Sequence, residues 1–252
     1  MLRLISDDRI EENLRFCDGD PIGTRVGSYL GAYRTKMNFA MFWEQLADGK
    51  ITAAVSKIDG DMTVCASENA DCDELSEFVR IIGFATLFSQ AEIFEKLKLD
   101  CVHGDILKLT GESRKDSRVT SNVEPRFLYE TVSEANSNNV LKGEYLEWLS
   151  DFTFRQRRDM LRAVGIYDGD ELVSCAMTSA ETATSAVISG VATKEKFRRR
   201  GLAESCVLTL ADKLKAKNKD SIFVMTESSE LTEYYEHLGF EKISEWGRYK
   251  AH

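Results

Sequence analysis

Zinc-ligand spacings are missing from this sequence, although it contains three histidines and six cysteines. The histidines are far apart, and no two cysteines form a C-x-x-C pair, so the sequence lacks the patterns of structural zinc sites. Several cysteines lie in apolar runs, which favours small core residues in a reducing compartment over disulfides. The cysteines are Cys17, Cys65, Cys72, Cys101, Cys175 and Cys206. We therefore expect no bound metal.

Long apolar runs are missing as well. No run is long enough to span a bilayer. The N-terminus has an acidic cluster of Asp7, Asp8, Glu11 and Glu12 and no apolar core of a signal peptide. These absences predict a cytoplasmic protein that contacts no membrane.

Positive charge is in deficit, with a formal net charge of -9 and an isoelectric point of about 5.1. Such a chain does not bind nucleic acid through its overall field, so we expect no nucleic-acid partner. Hydrophobic residues make up 43% of the sequence, which is ample for a core. The 252 residues suffice for one large domain or two small ones.

One basic cluster interrupts this acidic chain. The β-branched run Val187–Thr193 predicts a buried strand. Cations then crowd the stretch Lys194–Arg200, which Gly201 closes. Apolar residues recur at helical spacing over Leu202–Lys217 and predict an amphipathic helix. The sequence therefore places a cationic loop between a strand and the start of a helix.

A cationic loop at the start of a helix is typical of an anion site. The first turn of a helix leaves backbone N–H groups without intrahelical partners, and the helix dipole adds partial positive charge there. A diphosphate takes such groups as ligands, and Gly201 lets the backbone approach it closely because glycine has no Cβ. The alternative is a solvated basic turn whose glycine merely starts the helix.

The same residues resemble a known family. The hexapeptide Arg198–Ala203 matches the R/Q-x-x-G-x-G/A signature of the GNAT superfamily of N-acetyltransferases, and Gly190–Thr193 looks like the end of that family's fourth strand. Tyr234–Phe240 resembles the family's closing helix and its Y-x-x-x-G-F ending. The resemblance extends from about Leu161 to the C-terminus and is faint before it.

The resemblance implies an α/β fold with a GNAT-like mixed, mostly antiparallel sheet flanked by helices. Two related domains in tandem are expected, because each half joins two predicted strands through an Asp-Gly-Asp turn, at Asp59–Asp61 and Asp168–Asp170. Each half then continues as helix, strand, helix and strand. Coincidence is the alternative, since strand-turn-strand units are common.

A polar segment, Glu112–Glu124, ends at Pro125 and predicts the boundary between the two domains. We expect residues 1–117 to form a degenerate GNAT-like domain without the cofactor loop. Its corresponding stretch, Ser67–Glu74, is acidic and would repel a diphosphate. Residues 118–252 would form the domain that binds acetyl-CoA.

The resemblance also implies how acetyl-CoA is bound. Main-chain groups at the end of the fourth strand would hold the pantetheine arm and the thioester carbonyl; these are Val191, Ala192 and Thr193. The diphosphate would lie mostly on backbone N–H groups of Arg198, Arg199, Arg200, Gly201, Leu202 and Ala203. Ser228 stands where the family often has asparagine, and its hydroxyl is able to bond the CoA arm. A plain buried strand is the alternative for Val191–Thr193.

Tyr235 matches the family tyrosine that resembles a general acid for the departing CoA thiolate. A phenol with a pKa of about 10 is a suitable donor to a thiolate. The alternative is a core tyrosine, since Leu231, Tyr235 and Leu238 share one helical face. Tyr234 is the second candidate for the acid.

An attacking amine must also lose a proton, and a carboxylate near the cleft is a candidate base. Glu227 follows the strand after the motif helix and is the first candidate; Glu181 is the second. Each has the alternative of a solvated surface carboxylate.

We therefore expect an N-acetyltransferase that moves an acetyl group from acetyl-CoA to a primary amine, of a small molecule, by direct attack. The alternatives are a protein or peptide N-acetyltransferase and an acyl-CoA-binding regulatory module without turnover. A tandem aminoacyl transferase fed by tRNA ranks below these, because that family generally lacks the arginine-glycine loop. The residues predict neither the acceptor nor the oligomeric state.

Overall fold

The computed structural model describes residues 1–135 and 145–251. Residues 136–144 and His252, which belong to the second predicted domain, lie outside the described residues. The chain divides into two compact units. The first unit comprises residues 1–107, 225–234 and 242–252, and the second comprises residues 108–224 and 235–241.

The chain contains both helices and strands throughout. The first part contains β1 (Leu2–Leu4), α1 (Ile10–Cys17), α2 (Pro21–Tyr33), β2 (Ala40–Ala47), β3 (Lys50–Ile58), β4 (Asp61–Ala66), α3 (Cys72–Ile82), β5 (Thr86–Gln90), α4 (Ala91–Leu97) and β6 (Val102–Leu109). The rest contains α5 (Pro125–Ala135), α6 (Tyr145–Gln156), β7 (Ala163–Asp168), β8 (Glu171–Glu181), β9 (Ser185–Thr193), α7 (Leu202–Lys215), β10 (Ser221–Thr226), α8 (Ser229–His237) and β11 (Phe240–Lys250).

The sheet of the first unit is mixed. Strands β1 to β4 pair in antiparallel order, β4 and β5 pair in parallel, and β11 pairs antiparallel with β5. One face of this sheet carries a core in which Val55, Val64 and Leu87 meet Val79 of α3 and Phe94 of α4. The last strand of the chain therefore joins the sheet of the first unit through its end, Trp246 to Lys250.

At the N-terminus, Leu4, Ile10 and Leu14 predict one short helix over Leu2–Phe16, and the polar residues that follow predict a turn at Cys17–Gly23. The structure has the short strand β1 first and then two helices, α1 and α2. Asp20 caps α2 by accepting a hydrogen bond of 2.6 Å from the Gly23 N–H, with a proline in the first turn. Proline fits the first helical turn, where its missing N–H costs no hydrogen bond. The predicted turn is therefore confirmed over residues 18–20 but is shorter than expected, because Pro21 already begins α2.

The second unit has β7, β8 and β9 in antiparallel order and β9 parallel to β10. Successive residues of a strand face opposite sides of the sheet. Cys175 of β8 accordingly joins the core with Leu128 of α5 and Phe152 of α6, while the neighbouring Ser174 faces Cys206 of α7, at 3.8 Å between Oγ and Sγ. Helices therefore flank a mostly antiparallel sheet, as predicted.

The polar segment that predicts the domain boundary begins with residues held along α7. The N–H of Asp116 donates to the Thr209 hydroxyl at 3.1 Å, and Lys215 Nζ donates to the Gly111 carbonyl at 3.1 Å. We call residues Gly111–Arg118 the α7 strap. The second unit starts earlier, at Lys108, and the domain boundary at residue 118 stays a prediction.

None of the helices in residues 1–135 and 145–251 is long and apolar enough to cross a membrane.

Candidate functional site

Strand β9 contains a bulge that the sequence analysis did not identify. The register between β8 and β9 shifts between Cys175 and Met177, so Gly190 and Val191 stand opposite the single residue Ala176. Gly190 has a φ of +55°, in the left-handed region that favours glycine. A glycine inside a strand pattern is the sequence signal of such a bulge.

Replacing Gly190 by alanine should therefore destabilise the protein by about 1–2 kcal/mol, the cost of a left-handed conformation for a residue with a Cβ. The new Cβ would also lie 2.6 Å from Cε and 2.8 Å from Cγ of the buried Met177, so this side chain must shift as well. Thermal unfolding measures the loss. Gly49→Ala, with a φ of +77° and no atom within 4 Å of the added Cβ, is the control for strain at a turn. An unchanged melting temperature for Gly190→Ala would contradict this interpretation of the bulge.

Just before the bulge, β9 separates from its parallel neighbour β10. Backbone pairing with β10 runs from Ser185–Ser221 to Ile188–Val224, whereas β9 continues to Thr193. The main chain past Ile188 therefore has an edge that β10 does not cover.

The main chain of Thr193 lies on that open edge. The N–H of Lys194 donates to the Val173 carbonyl at 2.9 Å, and backbone groups of successive strand residues point to alternate sides. The N–H and C=O of Thr193 consequently point away from β8. Ala192 differs, because its carbonyl accepts a hydrogen bond of 3.1 Å from the Ser174 hydroxyl.

The first cation of the loop is already paired. Lys194 Nζ lies 2.7 Å from Glu171 Oε1 and 3.3 Å from Glu134 Oε2. The hydrogen bond to Glu171, together with Glu134, raises the pKa of Lys194. Lys194 therefore holds the loop to the rest of the second unit.

The three arginines of the loop are exposed but differ in their contacts. Arg198 donates through Nε to the Thr193 carbonyl at 3.1 Å and through Nη2 to the Ala135 carbonyl at 3.2 Å. Arg200 lies over the Phe197 ring at 5.2 Å and donates to a backbone carbonyl. Arg199 has a left-handed φ of 63°. The structure brings these cations together at the end of β9 and directly before α7.

Helix α7 begins at the predicted glycine. Gly201 is the N-cap residue, with φ 70° and ψ 13° and no side chain to cap the helix. A Cβ added to Gly201 would find open space, with Glu204 Oε2 the nearest atom at 3.9 Å. The amides of the first turn, including those of Leu202 and Ala203, are thus left to outside partners. This geometry fits a diphosphate.

The corresponding helix of the first unit is closed. Asp71 caps α3 by accepting hydrogen bonds from the N–H groups of Asp73 at 3.1 Å and Glu74 at 3.0 Å. Pairing between β4 and β5 is extended by side chains, since the Ser89 hydroxyl donates to the Val64 carbonyl at 2.7 Å. The Asp71 carboxylate therefore binds N–H groups in the first turn of α3, whereas no side chain caps the first turn of α7.

Residues 163–249 match the family model described as FR47-like protein. A tandem GNAT protein from the clavulanic acid biosynthesis pathway has 12% identity and a TM-score of 0.62, covering 100% of this chain and 98% of that chain. A GCN5-related N-acetyltransferase from Sphaerobacter thermophilus has 14% identity and a TM-score of 0.61, covering 99% and 95%. A Drosophila protein has 12% identity and a TM-score of 0.70, covering 99% and 98%. This chain has the tandem GNAT fold.

No curated protein sequence matches the chain. Sequence identities of 12% to 14% to solved structures establish only the fold. The predicted GNAT resemblance and the tandem fold class are confirmed. The roles of the site residues stay predictions.

Tyr235 is buried on α8, with 8% of its surface exposed. Its ring meets Phe240 edge-on, with centroids 5.5 Å apart. Leu231, which the alternative of a core tyrosine places on the same helical face, is 47% exposed. Tyr234 is half-buried. Tyr235 is therefore a buried tyrosine with Phe240 as an aromatic neighbour.

Glu227 and Ser228 lie in the first unit, between β10 and α8. Glu227 Oε1 is 3.2 Å from Arg248 Nη2, and the Arg248 guanidinium lies over Trp246 at 5.6 Å. Glu227 is thus a half-exposed carboxylate with one cationic partner. The Ser228 hydroxyl accepts a hydrogen bond of 3.4 Å from the Leu231 N–H, which caps the first turn of α8.

Glu181, the second candidate base, is not a solvated carboxylate. It is buried and pairs with Arg162, accepts a hydrogen bond of 2.7 Å from the Thr178 hydroxyl, and lies 3.9 Å from Lys219 Nζ. A buried carboxylate is stable only with such partners. Glu181 therefore has a structural role, which sequence spacing did not show because Arg162 and Lys219 are distant along the chain.

The cysteines of the second unit are core thiols. Burial raises the pKa of Cys206 to about 12 and also raises that of Cys175, so neither forms a reactive thiolate at neutral pH. Across the part of the chain that the structure describes, no group of three or more histidine, cysteine, aspartate or glutamate side chains is arranged to hold a metal ion.

Proposed function

We propose that the chain is an acetyl-CoA-dependent N-acetyltransferase that acylates a primary amine of a small molecule. One observation carries the proposal. In the second unit, β9 bulges at Gly190, separates from β10 after Ile188 and leads through a cationic loop to the uncapped start of α7. The edge of a strand offers main-chain partners to an amide-bearing arm, and the helix start offers N–H groups to a diphosphate.

The donor is held by main-chain groups in this proposal. The pantetheine arm bonds the edge of β9 over Val191–Thr193, where the main chain of Thr193 faces away from β8. The diphosphate lies on Arg198–Ala203. Ser228 bonds the CoA arm with its hydroxyl, which at 3.4 Å from Leu231 is only weakly engaged in capping α8.

The chemistry is a direct transfer. The amine nitrogen attacks the thioester carbonyl carbon, and the collapse of the tetrahedral intermediate breaks the carbon–sulfur bond. Tyr235 gives its phenolic proton to the departing thiolate, and Glu227, directly or through water, takes the proton that the attacking nitrogen loses. The products are an amide and the free thiol of CoA.

The start of α3 takes no part in donor binding in this proposal. The Asp71 carboxylate already accepts the N–H groups of Asp73 and Glu74, and its negative charge opposes a diphosphate at the start of α3.

Two measurements on the full chain test the proposal. Calorimetry should show acetyl-CoA binding, and an assay for free thiol should show CoA release that depends on an added amine. The panel should contain small primary amines, peptides with a free N-terminus and lysine peptides. Release with small amines supports the proposal, and release with peptides alone favours a peptide acceptor. Binding without amine-dependent release would leave the regulatory module, and no binding would refute the donor assignment.

A further inference from the structure

A carboxylate stands beside the proposed diphosphate site. Glu204 lies in the first turn of α7, and its Oε2 is 3.9 Å from the position of a Cβ on Gly201. A negative charge at this position interacts favourably with the helix dipole and so stabilises the helix in the free protein. The same charge repels a diphosphate that approaches the same N–H groups.

The α7 strap brings a cation to this carboxylate. Arg114 Nη2 lies 2.5 Å from Glu204 Oε1, and the strap is fixed along the helix on the C-terminal side of this pair. Arg118 donates to the Ser205 hydroxyl at 3.2 Å, and hydrogen bonds from Arg118 hold the pKa of Asp116 well below its usual range. All these residues belong to the second unit.

We propose that Arg114 determines the affinity for acetyl-CoA by neutralising Glu204. This inference rests on the proposed function, because it concerns the same anion site. Arg114 acts through Glu204 and need not touch the phosphates, so it is an electrostatic positioning residue. It also gives a function to the strap, whose polar composition is otherwise typical of a linker.

A double-mutant cycle on the full chain tests this, with the Kd of acetyl-CoA measured by calorimetry. Arg114→Ala should weaken binding roughly tenfold, the effect of one uncompensated charge a few ångströms from a phosphate in partly solvated surroundings. Glu204→Gln should tighten binding by about threefold, since it leaves an unpaired cation at the site. With Glu204→Gln already present, Arg114→Ala should weaken binding less than about threefold relative to that single variant, since no carboxylate is left exposed.

Two further variants are controls. Lys115→Ala removes one positive charge from the next residue of the strap, where Lys115 Nζ lies 3.7 Å from Asp212 Oδ2. It should leave the Kd within about twofold, because Asp212 lies two turns farther along α7. Arg114→Lys keeps the charge and should restore binding to within about threefold of wild type. Melting temperatures show whether each variant is folded.

The outcomes separate this inference from the proposed function. An equal loss for Arg114→Ala in both backgrounds would mean that Arg114 does not act through Glu204, and no loss in either would mean that it does not affect the site. Both results overturn the inference and leave the proposed function intact. Wild-type protein that fails to bind acetyl-CoA would overturn both.

Discussion

Replacing Tyr235 by phenylalanine is expected to lower kcat about a hundred- to ten-thousand-fold, the usual contribution of a general acid. The proton goes to a thiolate that appears only as the thioester breaks. Interactions made mainly in the transition state affect turnover more than binding. The ring would keep its edge-on contact with Phe240, so the Kd of acetyl-CoA and the melting temperature should barely change.

A core tyrosine would give the opposite pattern. Loss of its hydroxyl would lower stability by roughly 1 kcal/mol or less and leave kcat intact. Tyr234→Phe is the matched comparison, since it removes the same hydroxyl from the preceding residue of α8. A large drop in kcat for Tyr234→Phe alone would move the acid to that residue. Slow hydrolysis of acetyl-CoA serves as the assay until an acceptor amine is found.

Replacing Gly201 by valine is expected to weaken acetyl-CoA binding roughly ten- to a hundredfold. Gly201 has a φ of +70°. For a residue with a Cβ this backbone conformation costs about 1–2 kcal/mol, and the cost is largest for a β-branched residue. Relief of the strain would turn the amides at the start of α7 away from the diphosphate. Calorimetry with acetyl-CoA measures the loss.

Gly169→Val is the control for the strain itself. Gly169 belongs to the same unit, has a φ of +60° and has no atom within 4 Å of an added Cβ. This variant should share the loss of thermal stability but bind acetyl-CoA as wild type does. If Gly201→Val also bound acetyl-CoA normally, the assignment of the diphosphate to this helix start would be wrong.

The parts of the fold that local patterns encode could be predicted from the sequence. The Asp-Gly-Asp turns join β3 to β4 and β7 to β8, and the helix predicted from Leu202 begins there. Local patterns did not predict the pairing of strands that are far apart in the sequence. Trp246 of β11 pairs with Gln90 of β5, so the last strand belongs with the first unit. A chain beginning near Arg118 would leave β11 without that partner, and experiments should use the whole protein.

The candidate site was likewise predictable only in its local features. The cationic loop and Gly201 follow from short-range sequence, because the strand, loop and helix start are contiguous. The ion pairs around the loop do not follow from short-range sequence. Lys194 is neutralised by Glu171 and Glu134, and Glu204 by Arg114, across separations that no spacing rule covers. The sequence thus predicts an anion site but not the ion pairs that surround it.

The most direct test of the central claim uses acetyl-CoA with an isotopically labelled acetyl group, the full chain and the amine panel, analysed by mass spectrometry. The label should appear as an amide on an amine, in proportion to the CoA released, with none on the protein. Label that appears only as free acetate, or on the protein itself, would contradict direct transfer to an amine.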